Sequence, residues 1–162
     1  ESILDKVMTF QLSSSTKKKG LAHRATAEGI TADQIKELLG LVDINLVIEL
    51  SQLLLEKKGK EAIEFLNKSL EQGSDPYELS KALATHLRYV LLVKISPDLE
   101  QVLLSGYTKE QKDALKKQGS AWQEKELQEV VGRFLAAEQK MKYAYIPQLP
   151  LELAIIETCS RI

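Results

Sequence analysis

Ile146-Pro147-Gln148-Leu149-Pro150-Leu151-Glu152-Leu153-Ala154-Ile155-Ile156 is the stretch whose reading decides the fold. Each proline fixes φ and removes an N–H donor, so one helix stops here and another starts, with Pro150 suited to the first helical turn. In the helix that follows, Leu149, Leu153 and Ile156 recur at helical spacing, and so do Leu151 and Ile155. Glu152 is the one early charge and sits near the N-terminus, where the macrodipole favours an anion. On pattern alone this is a packing helix.

Working backward, the same signals recur. Thr108 and Gln111 have capping-box spacing for a helix through Lys117, and Ser120 is read as opening a long helix to about Tyr143. Asp75 before Pro76 places a capping side chain ahead of a residue pre-set for the first turn, so a long helix starts there and carries Leu79, Leu83, Leu87, Val90, Leu91 and Ile95 on a wide apolar face. Ser96-Pro97-Asp98 ends it and starts another short helix. Asp43 caps a helix bearing Leu46, Val47, Leu50, Leu53 and Leu54, expected to end in Lys57-Lys58-Gly59, where positive charge complements its carbonyl end. Ala62, Ile63, Leu66 and Leu70 define the next helix, closed by Gly73. Thr31 is the cap of a short helix to Leu39, stopped by Gly40. Valine and isoleucine sit at helical and not at alternating spacing, which predicts an all-α fold: a single compact domain of about seven or eight helices, without solenoid repeats.

The 162 residues are enough for one substantial core, and 44% hydrophobic content is that of a folded domain. Lys+Arg 22 against Asp+Glu 23 leaves no net field to hold a polyanion, so no direct nucleic-acid contact is expected. A single cysteine, Cys159, excludes an internal disulfide, and no apolar run is long enough for a membrane span or secretory signal. A cytoplasmic protein without a membrane partner is the simplest reading. The chain opens on Glu1 inside an amphipathic pattern of Ile3, Leu4, Val7 and Met8, as a piece cut from a longer polypeptide would. Residues 13–29, with Ser13-Ser14-Ser15-Thr16 and Lys17-Lys18-Lys19-Gly20, lack helical periodicity and read as a loop.

Four of these segments, in this order and spacing, resemble one family. They are Ile30-Thr31 through Leu39-Gly40-Leu41-Val42, then Gly73-Ser74-Asp75-Pro76, then Leu87-Arg88 with Leu91-Leu92-Val93-Lys94, and last Pro150-Leu151-Glu152-Leu153-Ala154. The family is the C-terminal collar domain of the bacterial DNA polymerase III gamma/tau subunit, the motor subunit of the sliding-clamp loader. The resemblance implies a division into residues 1–10, the remnant of a preceding lid helix; 11–29, a linker; and 30–162, a helical collar. It also implies a ring of collars in which the partners are gamma/tau copies, delta and delta-prime, while the ATP-sensing arginine and phosphate loop lie upstream of Glu1. A head-to-tail ring requires two different surfaces on each subunit. Two function classes stay open: an oligomerisation scaffold, or a free-standing helical adaptor that takes a partner helix or peptide in a groove.

No chemistry competes with these readings. His86 falls on the central helix and its only fellow, His23, in the loop; Cys159 is read as a small packed side chain and Lys17-Lys18-Lys19 as a solvated run. Trp122 suits a core or an interface, whereas Tyr143 and Tyr145, beside the proline turn, and Gln148 within it are the interface candidates. Catalytic, metal and cofactor-binding residues are expected to be none. A phosphate-binding loop needs glycines ahead of its Lys and a hydroxyl residue after it. Here Gly59-Lys60 is followed by Glu61, and Leu54 stands where the first glycine belongs. The chain should therefore hydrolyse no ATP above blank and show no micromolar ATP binding by calorimetry; binding that vanishes on unfolding would reveal a missed phosphate site.

Overall fold

In a computed structural model, residues 41–160 are described. The expected lid remnant, the loop with Lys17-Lys18-Lys19, the helix from Thr31 and the Gly40 stop lie outside them. Seven α-helices follow one another among the described residues, with no strand: α1 Ile44–Leu55, α2 Gly59–Glu71, α3 Pro76–Ile95, α4 Glu100–Leu103, α5 Lys109–Ala121, α6 Glu124–Met141 and α7 Leu149–Ser160. A single 3-10 turn, Pro97–Leu99, links α3 to α4.

The starts are local chemistry. Asp43 accepts from the Asn45 N–H at 2.9 Å, Asp75 accepts from the Glu78 N–H at 2.9 Å, and Thr108 with Gln111 forms the complete capping box. Each side-chain oxygen takes up one of the donors that a first helical turn leaves unpaired. α3 is the centre of the packing, against α6, α5 and α1. Its Leu79, Leu83, Ala84, Leu87, Val90 and Val93 are buried, while Ile95, expected on the same face, is exposed as the last residue of the helix, ahead of the Pro97 turn. α7 packs on α6, α2 and α1.

Two helix ends differ from expectation. α2 closes as read, with Gly73 at φ 102° between a Gly73 N–H to Leu70 bond and a Ser74 N–H to Ser69 bond, the paired closure in which a glycine takes the left-handed position. The end of α1 has the same two bonds, Lys57 N–H to Leu54 and Lys58 N–H to Leu53, but the left-handed residue is Lys57 (φ 59°), not Gly59. Gly59 instead begins α2. A Cβ there would lie 3.1 Å from the Cys159 Cβ, so this glycine serves the close approach of α2 to α7. The Lys57 charge complements a carbonyl end as expected, yet the carbonyl is that of Thr158 on α7.

The second correction concerns Ser120. α5 runs through it to Ala121, and the Ser120 hydroxyl donates back to the Lys116 carbonyl at 3.0 Å, which satisfies it inside the helix. The break falls at Trp122 and Gln123, both in extended conformation, because the indole of Trp122 turns into the core with 1% exposure; α6 then opens with Glu124 and Glu126 in its first turn. Trp122 is thus core.

His86 is buried, with 1% exposure. The Gln118 amide nitrogen donates to the Ile48 carbonyl at 2.9 Å, so its Oε1 faces the imidazole at 2.9 Å and the histidine proton sits on Nε2. Nδ1 is buried without a partner, and the ring stacks on Tyr107, whose phenol burial pushes up to about 12. α3, α5 and α1 are pinned together by this contact. Burial lowers the His86 pKa, only partly opposed by Gln118. The folded state therefore refuses a proton that the unfolded chain accepts near the ordinary value of about 6.5. Stability is full above that pH and falls as the pH drops toward the folded value, with a slope approaching about 1.4 kcal/mol per pH unit for one proton. Urea midpoints measured between pH 7.5 and 5 should decline in wild type and decline less in His86→Gln; parallel curves would contradict the assignment.

Candidate functional site

α7 is apolar on both sides. Leu151, Ala154, Ile155 and Thr158, at spacings of three, one and three, form the buried stripe. Leu149, Leu153 and Ile156 form a second stripe that is 42%, 49% and 47% exposed. The sequence pattern showed both stripes but not which of them the fold covers. A helix that is hydrophobic all round is ordinarily enclosed, so the outer stripe is an uncovered surface.

The preceding turn extends this surface. The N–H of Tyr143 donates to Lys140, that of Leu149 donates to Ile146, and that of Glu152 donates to the Gln148 carbonyl at 3.0 Å, so the chain reverses tightly around Pro147. That geometry throws Tyr143 outward at 90% exposure, leaves Tyr145 fully exposed and Ile146 nearly half exposed, and holds Gln148 half-buried. Of the three residues singled out in the sequence, the two tyrosines are presented to solvent and Gln148 is the hinge that starts α7. Between α6 and α7 lies a groove of about 600 Å³, with Ala137 and Ala154 at its base and Tyr145, Ile146, Leu149 and Leu153 along one side. α6 lines it with the small side chains of Ala136 and Ala137. Lys140, Glu129, Arg133 and Glu157 supply a charged rim.

Arg133 ties the rim to the helix. Its guanidinium donates to the Thr158 hydroxyl at 2.9 Å and lies 3.3 Å from Glu157, while the same hydroxyl donates to the Ala154 carbonyl at 2.7 Å. An apolar surface with aromatic anchors, a polar rim and rigid support suits the docking of another protein surface. His86 is enclosed in the core, burial pushes the Cys159 thiol up despite nearby Lys57, and among the described residues no cluster of His, Cys, Asp and Glu could hold a metal ion. No described helix is long and apolar enough to cross a membrane.

Known proteins share this architecture. The chain is 30% identical over 122 residues to DNA polymerase III subunit tau of Bacillus subtilis, an alignment that takes in 75% of this chain and 21% of that protein. The chain thus spans about a fifth of the length of this curated relative. Among solved structures, the Bacillus subtilis DNA clamp loader delta protein superimposes over 88% of this chain and 45% of its own with a TM-score of 0.63, at 20% sequence identity, a likeness of fold. The sequence profile of DNA polymerase III subunits gamma and tau domain III matches residues 30–161, most of the chain, and on that match this protein belongs to the gamma and tau domain III family.

Proposed function

We propose that this chain is the collar, or oligomerisation scaffold, of a clamp-loader subunit, holding an ATP-driven sliding-clamp loader together during DNA replication in the cytoplasm. The observation that carries this reading is the second apolar stripe of α7, exposed together with Tyr143, Tyr145 and Ile146 of the preceding turn. Membership in the domain III family favours the scaffold over a free-standing adaptor. The partners are other clamp-loader subunits, namely gamma/tau copies, delta and delta-prime, and the contact is head-to-tail, with the α7 face as one of its two halves. Tyr143 and Tyr145 act as anchors and Gln148 as the polar edge between them and α7. The chain itself contributes no catalytic step, and the phosphate chemistry belongs to a separate part of the same machine.

Sedimentation velocity of the purified chain with the clamp-loader subunits of its own organism tests this. Tyr143→Ala combined with Tyr145→Ala, and separately Leu153→Ala, should weaken association roughly tenfold or more, which is about 1.4 kcal/mol or above. The melting temperature should move by no more than about 4 °C, since exposed side chains carry little fold stability. Leu151→Ala, on the buried stripe, should instead lower stability by about 2–5 kcal/mol. Association equal to wild type in both surface variants would remove α7 from the interface.

A further inference from the structure

The left-handed position that closes a helix is the place for glycine, and α2 has Gly73 there. α1 closes with the same pair of backbone bonds but holds Lys57 at φ 59°, the one non-glycine residue with positive φ among the described residues. In that conformation the lysine Cβ crowds the backbone carbonyl oxygen, so something other than the turn must account for the side chain. Its contacts supply the reason. Nζ donates to the Thr158 carbonyl at 3.0 Å, 101 residues later in the chain, pairs with the Glu126 carboxylate, and lies 5.3 Å from the centroid of the Trp122 ring. One ammonium thus joins the corner after α1 to the start of α6, to the core indole and to the C-terminal turn of α7. A cation is favoured at such a carbonyl end.

Thr158 is held from two directions, because Arg133 of α6 takes its hydroxyl while Lys57 takes its carbonyl. Thr158 belongs to the buried stripe, and Ile156, two residues earlier, belongs to the exposed one. Fixing this turn fixes the rotation of α7 about its axis and hence the direction in which Leu149, Leu153 and Ile156 point. We infer that Lys57 is a positioning residue for the docking face: it locks the last turn of α7 so that the outer stripe is presented in one orientation. This rests on the reading of α7 as the docking helix given above.

The test combines two variants with two readouts. Lys57→Met keeps the aliphatic stem and removes the charge. Lys57→Gly keeps the left-handed corner comfortable and removes every side-chain contact, so a failure to fold does not obscure the result. Amide hydrogen exchange followed by mass spectrometry should show residues 157–160 exchanging tenfold or more faster in both variants, while residues 50–55 of α1 keep their protection. A lysine that merely stabilised the whole fold would move both segments together. Emission of Trp122, the sole tryptophan, should shift as the cation leaves its ring. Association with the other clamp-loader subunits should weaken about fivefold or more, and Lys57→Arg, which keeps the cation, should recover part of it. Wild-type exchange at 157–160 overturns the inference whatever the association does. Faster exchange with unchanged association also overturns it, provided the tyrosine double variant or Leu153→Ala does weaken association. If both of those surface variants associate normally, the docking reading has failed on its own, and the exchange at 157–160 still decides whether Lys57 locks α7.

Discussion

The burial of α3 is the constraint from which the other helices take their places. Its apolar positions cover a face too wide for one neighbour, so α1, α5 and α6 must all lie against it. Each fully buried leucine there contributes about 1.5–3 kcal/mol, and that sum dominates any surface ion pair the molecule makes. With α6 committed along one face to α3, an adjoining face receives α7. α7 is therefore an outer helix, covered only from within. Its outer stripe is exposed because, among the described residues, the layer order leaves nothing to cover it.

Polar contacts then select one arrangement among the many that would bury leucines equally well. The Gln118 amide links the imidazole of α3 to the Ile48 carbonyl of α1, and Gln111 reaches Asn45 at 3.1 Å, so α5 has a single register against α1 and α3. Buried hydrogen bonds of this kind add modest net stability, but leaving one partner unpaired is costly, which penalises a slipped register more than it rewards the correct one. The same logic acts at Thr158, where a hydroxyl and a carbonyl on one residue are claimed by cations from two different elements.

What could be read from the sequence follows this division between local and non-local causes. Asp43, Asp75-Pro76, Gly73 and the Thr108–Gln111 pair were legible because each cap is complete within a few residues of itself. The start of α6 is not legible at Ser120 because the break depends on where the Trp122 ring finds room in the core, and the role of Gly59 is not legible because the residue it must approach, Cys159, is remote in sequence. At the candidate site, the proline turn marked Tyr143 and Tyr145 as outward, since a chain reversal at the surface exposes what it carries. Leu149, Leu153 and Ile156 could not be separated from Leu151 and Ile155 on the same grounds. Periodicity distinguishes two faces of a helix, and only the neighbours decide which one is covered.

Because both stripes share one twelve-residue helix, any association that used the outer stripe would be coupled through α7 to the stability of the fold. A change that loosens the inner stripe disorders the outer one, so a weakened complex alone does not identify a contact residue. The coupling also runs the other way. A partner that binds only the folded face stabilises the fold by an amount that grows with the logarithm of its concentration over its Kd. The isolated chain, with Leu149, Leu153, Ile156 and two tyrosines facing water, is then the least stable form of the protein, and covering that face removes an apolar surface that would otherwise favour non-specific association. A helix whose outer stripe a partner would cover suits the proposed scaffold role, in which being folded and being assembled would reinforce each other.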